Sequence, residues 1–406
     1  MSNLHRKRVV LGVTGSIAAY KAAFVASRLV QHGATVDVVM TEAATHMIGA
    51  ATFAALTHRP VVTSFWEARG TADIAHVTLG HAADLVIVAP LTANTLAKLA
   101  LGLADNELTA LCLSTRAPIL VAPAMETGMW QHPATQGHLA TLQARGIHVV
   151  APGGGYLASG ASGLGRLADP DIILDAARYI LGQTGDLAGR HLIVTSGGTR
   201  EAIDPVRYVT NQSSGKMGLA LAEAARDRGA TVTLIHTTDL APPYGVTEVR
   251  VASAADLDTA VLAHLPDSDG LIMAAAPADF TPAAPADQKI KKTADNTDGL
   301  TLVLTRTRDI LRDVADWRAA HESPRVRVII GFAAETQNLI DNARVKLQSK
   351  DLDMIVANPV PQTFGSDLVQ ATLLDRDGSI TPLDPMPKDT LAHRILDEVA
   401  RRLAAG

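Results

Sequence analysis

Arg8-Val9-Val10-Leu11-Gly12-Val13-Thr14-Gly15-Ser16-Ile17-Ala18-Ala19-Tyr20-Lys21 is the stretch on which the reading of the fold turns. Its apolar first part shows no polar alternation, so 8–13 reads as a strand covered on both faces. Thr14-Gly15-Ser16 is a tight loop, and 17–32, with Ala, Val and Leu on one face, reads as a helix that Gly33 stops. Thr35-Val36-Asp37-Val38-Val39-Met40 follows at once as a β-branched strand. The same strand–helix–strand grammar recurs through strands at 84–89, 119–122 and 147–150, with helical stretches near 93–100 and 128–144. Continuous apolar strands alternating with helices predict a doubly wound α/β sheet.

A polar, glycine-rich segment, Leu181-Gly182-Gln183-Thr184-Gly185-Asp186-Leu187-Ala188-Gly189, follows the helix that begins near Asp171. It reads as a linker and divides the chain into domains 1–185 and 186–406. Beyond it the grammar restarts with a strand at 191–195, the glycine loop Ser196-Gly197-Gly198-Thr199, a helix at 216–228 and a strand at 231–235. Strands at 270–275, 327–331 and 354–357 extend a second α/β sheet. A hairpin is predicted at 373–375 and 379–381 around Asp377-Gly378, and a closing helix at 388–403. Between 277 and 298 the Pro, Asp, Lys and Thr content predicts a mobile, solvated loop.

Composition narrows the partners. The 406 residues carry 36 Lys+Arg against 41 Asp+Glu, a formal charge of −5, and no basic stripe that would suit nucleic acid. No apolar run approaches a membrane span. One cysteine rules out a disulfide scaffold, and the length suits two domains with their own cores. With 47% hydrophobic residues but only 3% aromatics, those cores must be built from Ala, Val, Ile and Leu. The basic start at 5–8 leads into an apolar run too short and too glycine-punctuated for a signal peptide, so a reducing cytoplasm is expected. Small molecules are the expected partners.

In open α/β sheets ligands bind beyond the carboxyl ends of the strands, where glycine loops and helix N-termini offer free N–H groups. Gly12-Val13-Thr14-Gly15-Ser16-Ile17 lacks the G-x-G-x-x-G spacing and the acidic ribose partner of a dinucleotide site, which speaks against a nicotinamide oxidoreductase. Ser213-Ser214-Gly215-Lys216-Met217 has a Gly-Lys pair without the upstream glycine of a Walker A loop. From these residues alone, two readings stay open: each half binds a phosphate-bearing ligand, or each loop is an ordinary sharp turn.

Longer motifs separate them. The first half resembles the homo-oligomeric flavin-containing cysteine decarboxylases through 12–21, Ala75-His76-Val77-Thr78-Leu79, Ala89-Pro90-Leu91-Thr92-Ala93-Asn94-Thr95 and Pro123-Ala124-Met125-Glu126-Thr127-Gly128-Met129-Trp130. The second half is similar to phosphopantothenate–cysteine ligases through Ser196-Gly197-Gly198-Thr199-Arg200-Glu201, Ile203-Asp204-Pro205-Val206-Arg207-Tyr208 and Asn211-Gln212-Ser213-Ser214-Gly215-Lys216-Met217-Gly218. Ala274-Ala275-Ala276-Pro277-Ala278-Asp279-Phe280, Lys289-Ile290-Lys291-Lys292 and Gly331-Phe332-Ala333-Ala334-Glu335-Thr336 continue that likeness. Together they resemble the bifunctional phosphopantothenoylcysteine decarboxylase/phosphopantothenate–cysteine ligase family of coenzyme A biosynthesis, over nearly the whole chain. The fold so implied is two Rossmann-like doubly wound sheets, the first flavodoxin-like.

For the first domain the resemblance implies FMN, held at Gly15, Ser16, Ile17, Thr41, Ala93, Asn94, Thr95 and Met125. Oxidation of the cysteine thiol to a thioaldehyde would give the departing carboxylate its electron sink. His76 matches the family's base, whose imidazole can trade a proton with that thiol. Two positions depart from the pattern. Glu126 stands where the family has the Asn that helps hold the substrate carboxylate, and Ser159 where it commonly has the Cys that donates a proton. An ionised Glu126 would repel the carboxylate, so it is either protonated or points elsewhere, and a hydroxyl is a much poorer acid than a thiol. The lone Cys112, within Leu111-Cys112-Leu113, reads as core. An active ligase whose first half is only an FMN-binding scaffold is therefore kept as an alternative.

For the second domain the resemblance implies attack of the 4′-phosphopantothenate carboxylate on CTP, then capture of the acyl-cytidylate by cysteine. Asn211 is the implied oxyanion donor, Arg207 an anion clamp, and Lys289 the cation that closes over the triphosphate. Met273, Ala274, Ala275, Asp279, Arg308, Asp309, Ile310, Leu311, Phe332, Lys346 and Lys350 are the implied CTP contacts. Mg2+ or Mn2+ would be held mainly through the CTP phosphates, with no side-chain ligand named. A homo-oligomer is implied, with FMN sites between subunits and paired ligase domains.

Overall fold

In the computed structural model, which describes residues 3–66, 74–158, 160–291, 300–322, 324–335, 337–359 and 368–405, the chain divides into two units, Met1–Gly182 and Gln183–Gly406. In the first unit, β1 (Arg8–Val13), β2 (Thr35–Met40), β3 (Leu85–Leu91), β4 (Ile119–Pro123) and β5 (His148–Val149) pair in parallel in the order β2-β1-β3-β4-β5. That is the flavodoxin-like order, whose direction reverses between β1 and β3. All seven residues of β3 are buried, which is why its sequence is an apolar run rather than an alternation. Helix Ala19–Gln31 turns Ala22, Val25, Ala26 and Leu29 inward. Tyr20 and Phe24, four apart, stay on its outer side.

The helix expected over 128–144 is two helices, Thr127–Gln131 and Pro133–Ala144. Pro133 has no N–H to donate, so it cannot continue the first helix but suits the first turn of the second. After β5 comes an antiparallel hairpin, β6 (Gly153–Tyr156) with β7 (Ser162–Arg166), and then helix Pro170–Gly182.

The second unit adds β8 (His191–Ser196), β9 (Arg200–Ala202), β10 (Tyr208–Thr210), β11 (Thr231–His236), β12 (Thr247–Arg250), β13 (Gly270–Met273), β14 (Phe280–Pro282), β15 (Leu304–Arg306), β16 (Val328–Glu335), β17 (Met354–Pro359), β18 (Leu368–Asp375) and β19 (Ile380–Pro387). Its main sheet runs β12-β11-β8-β13-β16-β17-β18-β19, parallel from β12 to β17 and antiparallel across β18 and β19. The order turns outward from β8 on both sides, so this Rossmann-like sheet has its switch point between β8 and β13. One core packs helices Lys216–Asp227 and Lys388–Ala405 through Leu221, Ala225, Leu391, Ile395 and Val399. A second packs helices Ala254–His264, Ile310–Ala320 and Leu339–Ser349 through Leu257, Val261, Val314, Ala343 and Leu347.

Three expectations change here. The strand expected at 327–331 runs to Glu335, because Phe332 to Glu335 stay paired with β17. The hairpin arms are eight residues each. The segment 277–298 is not all loop: Phe280–Pro282 pairs with Leu304–Arg306 as a two-stranded ribbon, while 292–299, including Lys292, lie outside the described residues.

Candidate active sites

At the carboxyl edge of the first sheet, Thr14 joins two loops: its Oγ1 donates to the Pro90 carbonyl at 2.7 Å and accepts the Thr92 N–H at 3.0 Å. Gly15 lies so close to helix Glu42–Thr45 that an added Cβ would sit 2.4 Å from the Ala43 Cβ. The next helix begins after Ala18 with no capping side chain; within the loop the Ser16 N–H donates to the Thr14 carbonyl, the Ala18 N–H to Ser16 Oγ and the Ala19 N–H to the Ser16 carbonyl. Thr41 caps helix Glu42–Thr45 by accepting the Ala44 N–H, and its own N–H donates to the Val13 carbonyl at 3.0 Å. Thr92 caps helix Ala93–Leu101 in the same way through the Thr95 N–H. Gly15, Ser16, Ile17, Thr41, Ala93, Asn94 and Thr95 therefore gather where β1, β2 and β3 end. Met125 follows β4, and its N–H donates to the Gly165 carbonyl at 3.0 Å. A glycine loop at a switch point suits a phosphate-bearing ligand.

The β6–β7 hairpin is held against this edge. Thr127 Oγ1 donates to the Leu164 carbonyl at 2.7 Å, and Gly165, at φ +137°, has room for no Cβ because the Met125 carbonyl oxygen would lie 2.1 Å from it. Lys21 Nζ reaches the Leu167 carbonyl at 3.4 Å. Burial and the nearby Arg166 charge hold the Lys21 ammonium below its usual range. Ser159 lies outside the described residues.

His76 sits at the start of helix Ala75–Ala82, with the Phe65 ring packed edge-on at 5.4 Å. Its Nδ1 lies 3.4 Å from Oε1 of Glu107, a residue that no sequence motif singles out. Glu126 is the N-cap of helix Thr127–Gln131, its Oε2 accepting the N–H groups of Gly128 and Met129. Cys112 packs against the core, and burial pushes its thiol up to about 12, so it makes a poor acid–base group near neutrality.

In the second unit a cleft of about 980 Å³ opens at the carboxyl edge of its sheet, beside the switch point. Met273, Ala274, Ala275, Asp279, Arg308, Asp309, Ile310, Leu311, Phe332, Lys346 and Lys350 all line it, as does Asn211. Its walls are pinned by hydrogen bonds: Thr199 Oγ1 accepts the Ala278 N–H at 2.9 Å, Thr307 Oγ1 donates to the Ala278 carbonyl at 2.7 Å, and Asn211 Nδ2 donates to the Pro277 carbonyl at 2.9 Å. Lys346 pairs with Glu335 at 2.6 Å and Lys350 with Asp309 at 3.1 Å. Burial alone would raise the Glu335 carboxyl, but Lys346 and Asn342 outweigh it and hold it below the usual range. Arg308 lies 3.6 Å from the buried Asp258.

Two of the expected catalytic residues are not in the cleft lining. Lys289 is exposed, and Arg207 is engaged in an anchor: its guanidinium binds Asp204 at 2.9 Å and donates to the Ile290 carbonyl at 3.1 and 3.2 Å. Asp204 in turn accepts the N–H groups of Val206, Arg207 and Ile290. Arg207 thus fixes the segment that carries Lys289 instead of facing the cleft. The cleft also takes in Lys216, Arg306, Asn358 and Lys388, which were not expected. Lys216 had a signal in its Gly-Lys pair; Lys388, the first residue of the last helix, had none. Among the described residues no group of three or more His, Cys, Asp or Glu side chains could hold a metal ion.

The family model described as Flavoprotein matches residues 1–181, and that described as DNA/pantothenate metabolism flavoprotein C-terminal domain matches residues 187–403. The Coenzyme A biosynthesis bifunctional protein CoaBC of Mycobacterium tuberculosis (strain ATCC 25618 / H37Rv) is 46% identical over 410 residues, covering 98% of this chain and 97% of its own. The protein of the same description from Bacillus subtilis (strain 168) is 43% identical over 404 residues, covering 98% and 97%. Among solved structures, the C-terminal domain of Coenzyme A biosynthesis bifunctional protein CoaBC is similar at 36% identity and a TM-score of 0.46, over 55% of this chain and 100% of that one.

Proposed function

This chain belongs to the family of coenzyme A biosynthesis bifunctional proteins, and from that membership we propose how its residues divide the work: 1–185 form the FMN-dependent phosphopantothenoylcysteine decarboxylase and 186–406 the CTP-dependent phosphopantothenate–cysteine ligase. Ligation comes first. The 4′-phosphopantothenate carboxylate attacks the α-phosphate of CTP and expels pyrophosphate; the cysteine amine then attacks the acyl carbon and expels CMP. The observation that carries this reading is the second unit's cleft, which gathers Asn211, Asp279, Phe332, Lys346 and Lys350 at one switch point. Phe332 lines the base end, and Lys346 and Lys350 exchange Glu335 and Asp309 for phosphate oxygens. Asn211, held by the Pro277 carbonyl, turns its amide toward the developing oxyanion. Mg2+ would be held mainly through the triphosphate oxygens, whose charge it would offset.

In the first unit Gly15, Ser16 and Ile17 would hold the FMN phosphate, with Thr41, Ala93–Thr95 and Met125 around the rest. When bound, FMN would supply the oxidant that turns the cysteine thiol into an electron sink for CO2 loss. His76 takes the thiol proton. Ile17, just ahead of helix Ala19–Gln31, is 66% exposed, and with Tyr20 and Phe24 on that helix it leaves an apolar surface uncovered; this supports a homo-oligomer with FMN sites between subunits, and we pair the ligase domains likewise. Among the described residues no helix is long and apolar enough to cross a membrane, and we place the chain in the cytoplasm, where its single thiol stays reduced.

The test is direct: give the pure protein 4′-phosphopantothenate, cysteine, CTP and Mg2+, and follow products by mass. Phosphopantetheine and CMP should both form. Phosphopantothenoylcysteine that accumulates without CO2 release would reduce the first unit to an FMN-binding scaffold, a reading favoured by Glu126 capping a helix and by the serine at 159. Absence of CMP would sink the ligase assignment.

The Asp204 anchor makes a further prediction. Burial pushes its carboxyl up, but the N–H bonds from Val206, Ile290 and Arg207 and the Arg207 charge prevail and hold it below the usual range. Because the folded value is depressed, Asp204 stabilises the unit above the ordinary carboxylate range, about 4, and that contribution is lost as pH falls through the depressed value. Asp204→Asn should therefore be less stable than the native chain near neutrality and converge with it in acid, in denaturation series run across pH. The variant should also ligate more slowly at neutral pH, since the Lys289 segment loses its tether. A constant stability gap down to about pH 2 would contradict the assigned charge pairing.

A further inference from the structure

Glu107 is 3% exposed, and a carboxylate so placed needs a compensating partner. The ordinary use of an acid in the first turn of a helix is to cap it, but helix Glu107–Ser114 already has its cap: Asn106 Oδ1 accepts the Thr109 N–H at 3.1 Å, and Thr109 Oγ1 answers the Asn106 N–H. The Glu107 carboxylate faces His76 instead, Oε1 to Nδ1 at 3.4 Å. His76 is held from its other sides as well. The Phe65 ring meets it edge-on, and Ser114, at the far end of the Glu107 helix, donates its hydroxyl to the His76 carbonyl at 2.9 Å. The His76 side chain keeps 25% of its surface exposed, so the ring has one nitrogen beside the carboxylate and is accessible elsewhere.

We propose that Glu107 is the positioning residue of the decarboxylase base. Its carboxylate accepts the Nδ1–H of His76, which selects the tautomer whose Nε2 lone pair is free for the substrate thiol. When the thiol proton moves from sulfur to Nε2, the ring gains a positive charge beside the carboxylate, which stabilises it; Glu107 itself takes no proton. Nothing in the local sequence marks this pair, because the two residues lie on different helices and meet only through packing. The inference rests on the decarboxylase reading of the first unit and adds to it a residue that the motifs do not contain.

Glu107→Gln keeps the shape and removes the charge, and Glu107→Asp keeps the charge on a shorter arm. In the full-length chain freed of FMN, ring-labelled histidine NMR reads the His76 tautomer, its signal assigned by its loss in His76→Asn. The native chain should show the Nδ1–H form, and Glu107→Gln should shift toward Nε2–H. In the FMN-loaded enzyme Glu107→Gln should lower kcat for CO2 release about 100-fold, with KM for phosphopantothenoylcysteine, FMN content and CMP formation unchanged; Glu107→Asp should recover part of the rate. An unaltered tautomer in Glu107→Gln, or native kcat, overturns the inference while leaving the decarboxylase reading intact. A loss of rate that merely follows loss of FMN overturns it too, since Glu107 would then only support the fold. If the native chain releases no CO2, the decarboxylase reading falls and takes the role of Glu107 with it.

Discussion

His76→Asn should slow CO2 release from phosphopantothenoylcysteine by roughly 10²- to 10⁴-fold, the range that a positioned general base contributes, while CMP formation proceeds at the native rate. The two halves of this expectation have separate physical grounds. Asn has no lone pair of suitable basicity to take the thiol proton, although its amide can still occupy the space between Phe65 and Glu107. The ligase cleft draws its lining from residues 211–388 of the second unit, so the substitution changes none of its side chains. Both products can be followed in one reaction mixture, which makes CMP an internal control for folding and concentration. CO2 release at the native rate would move the base elsewhere in the first unit. A parallel fall in CMP would mean that the substitution damages the whole chain.

The parts of the molecule that were legible in the sequence are those whose physics is local. Strands β1 and β2 were readable because each is an apolar run closed by a glycine loop or a helix start, and the structure bounds them at the same residues. Lys346 and Lys350 were readable as a pair because four residues make one helical turn, and both line the cleft. The split at Pro133 was available in principle from the missing N–H, but the flanking helical pattern masked it. β9, β10 and β14 are three residues long, too short for a periodic signature, and they hold only through pairing with other short strands. Contacts between distant segments were the least legible. The Arg207 guanidinium grips a carbonyl 83 positions away, which converts an expected anion clamp into an anchor. For Glu126 the motif left two readings open, a protonated carboxyl or one that points elsewhere, and the two backbone N–H groups that its carboxylate accepts come from the next turn of its own chain.

The largest effect on stability is expected at the end of the helix whose start faces the ligase cleft. Arg226 and Asp227 close helix Lys216–Asp227 with side chains 0% and 2% exposed, joined at 2.6 Å. An acid in the last turn opposes the helix dipole, so Asp227 is there for Arg226 and not for the helix. The guanidinium also donates to the Tyr244 carbonyl at 2.9 Å, tying the helix to the segment that leads into β12. Asp227→Ala would take a carboxylate away from that buried cation, and breaking a buried ion pair costs up to about 3–5 kcal/mol. For a unit of this size that corresponds to a fall in Tm of roughly 6–20 °C. Calorimetry of the full chain should place the shift in the transition that coincides with loss of CMP formation. Replacing both partners by apolar residues of similar volume, Arg226→Met with Asp227→Leu, should restore most of the loss, because neither desolvated charge is then present. A single substitution as stable as the native chain would show that Arg226 finds equal compensation elsewhere. A double variant as unstable as the single one would show that the site needs the shape of these side chains and not the cancellation of their charges.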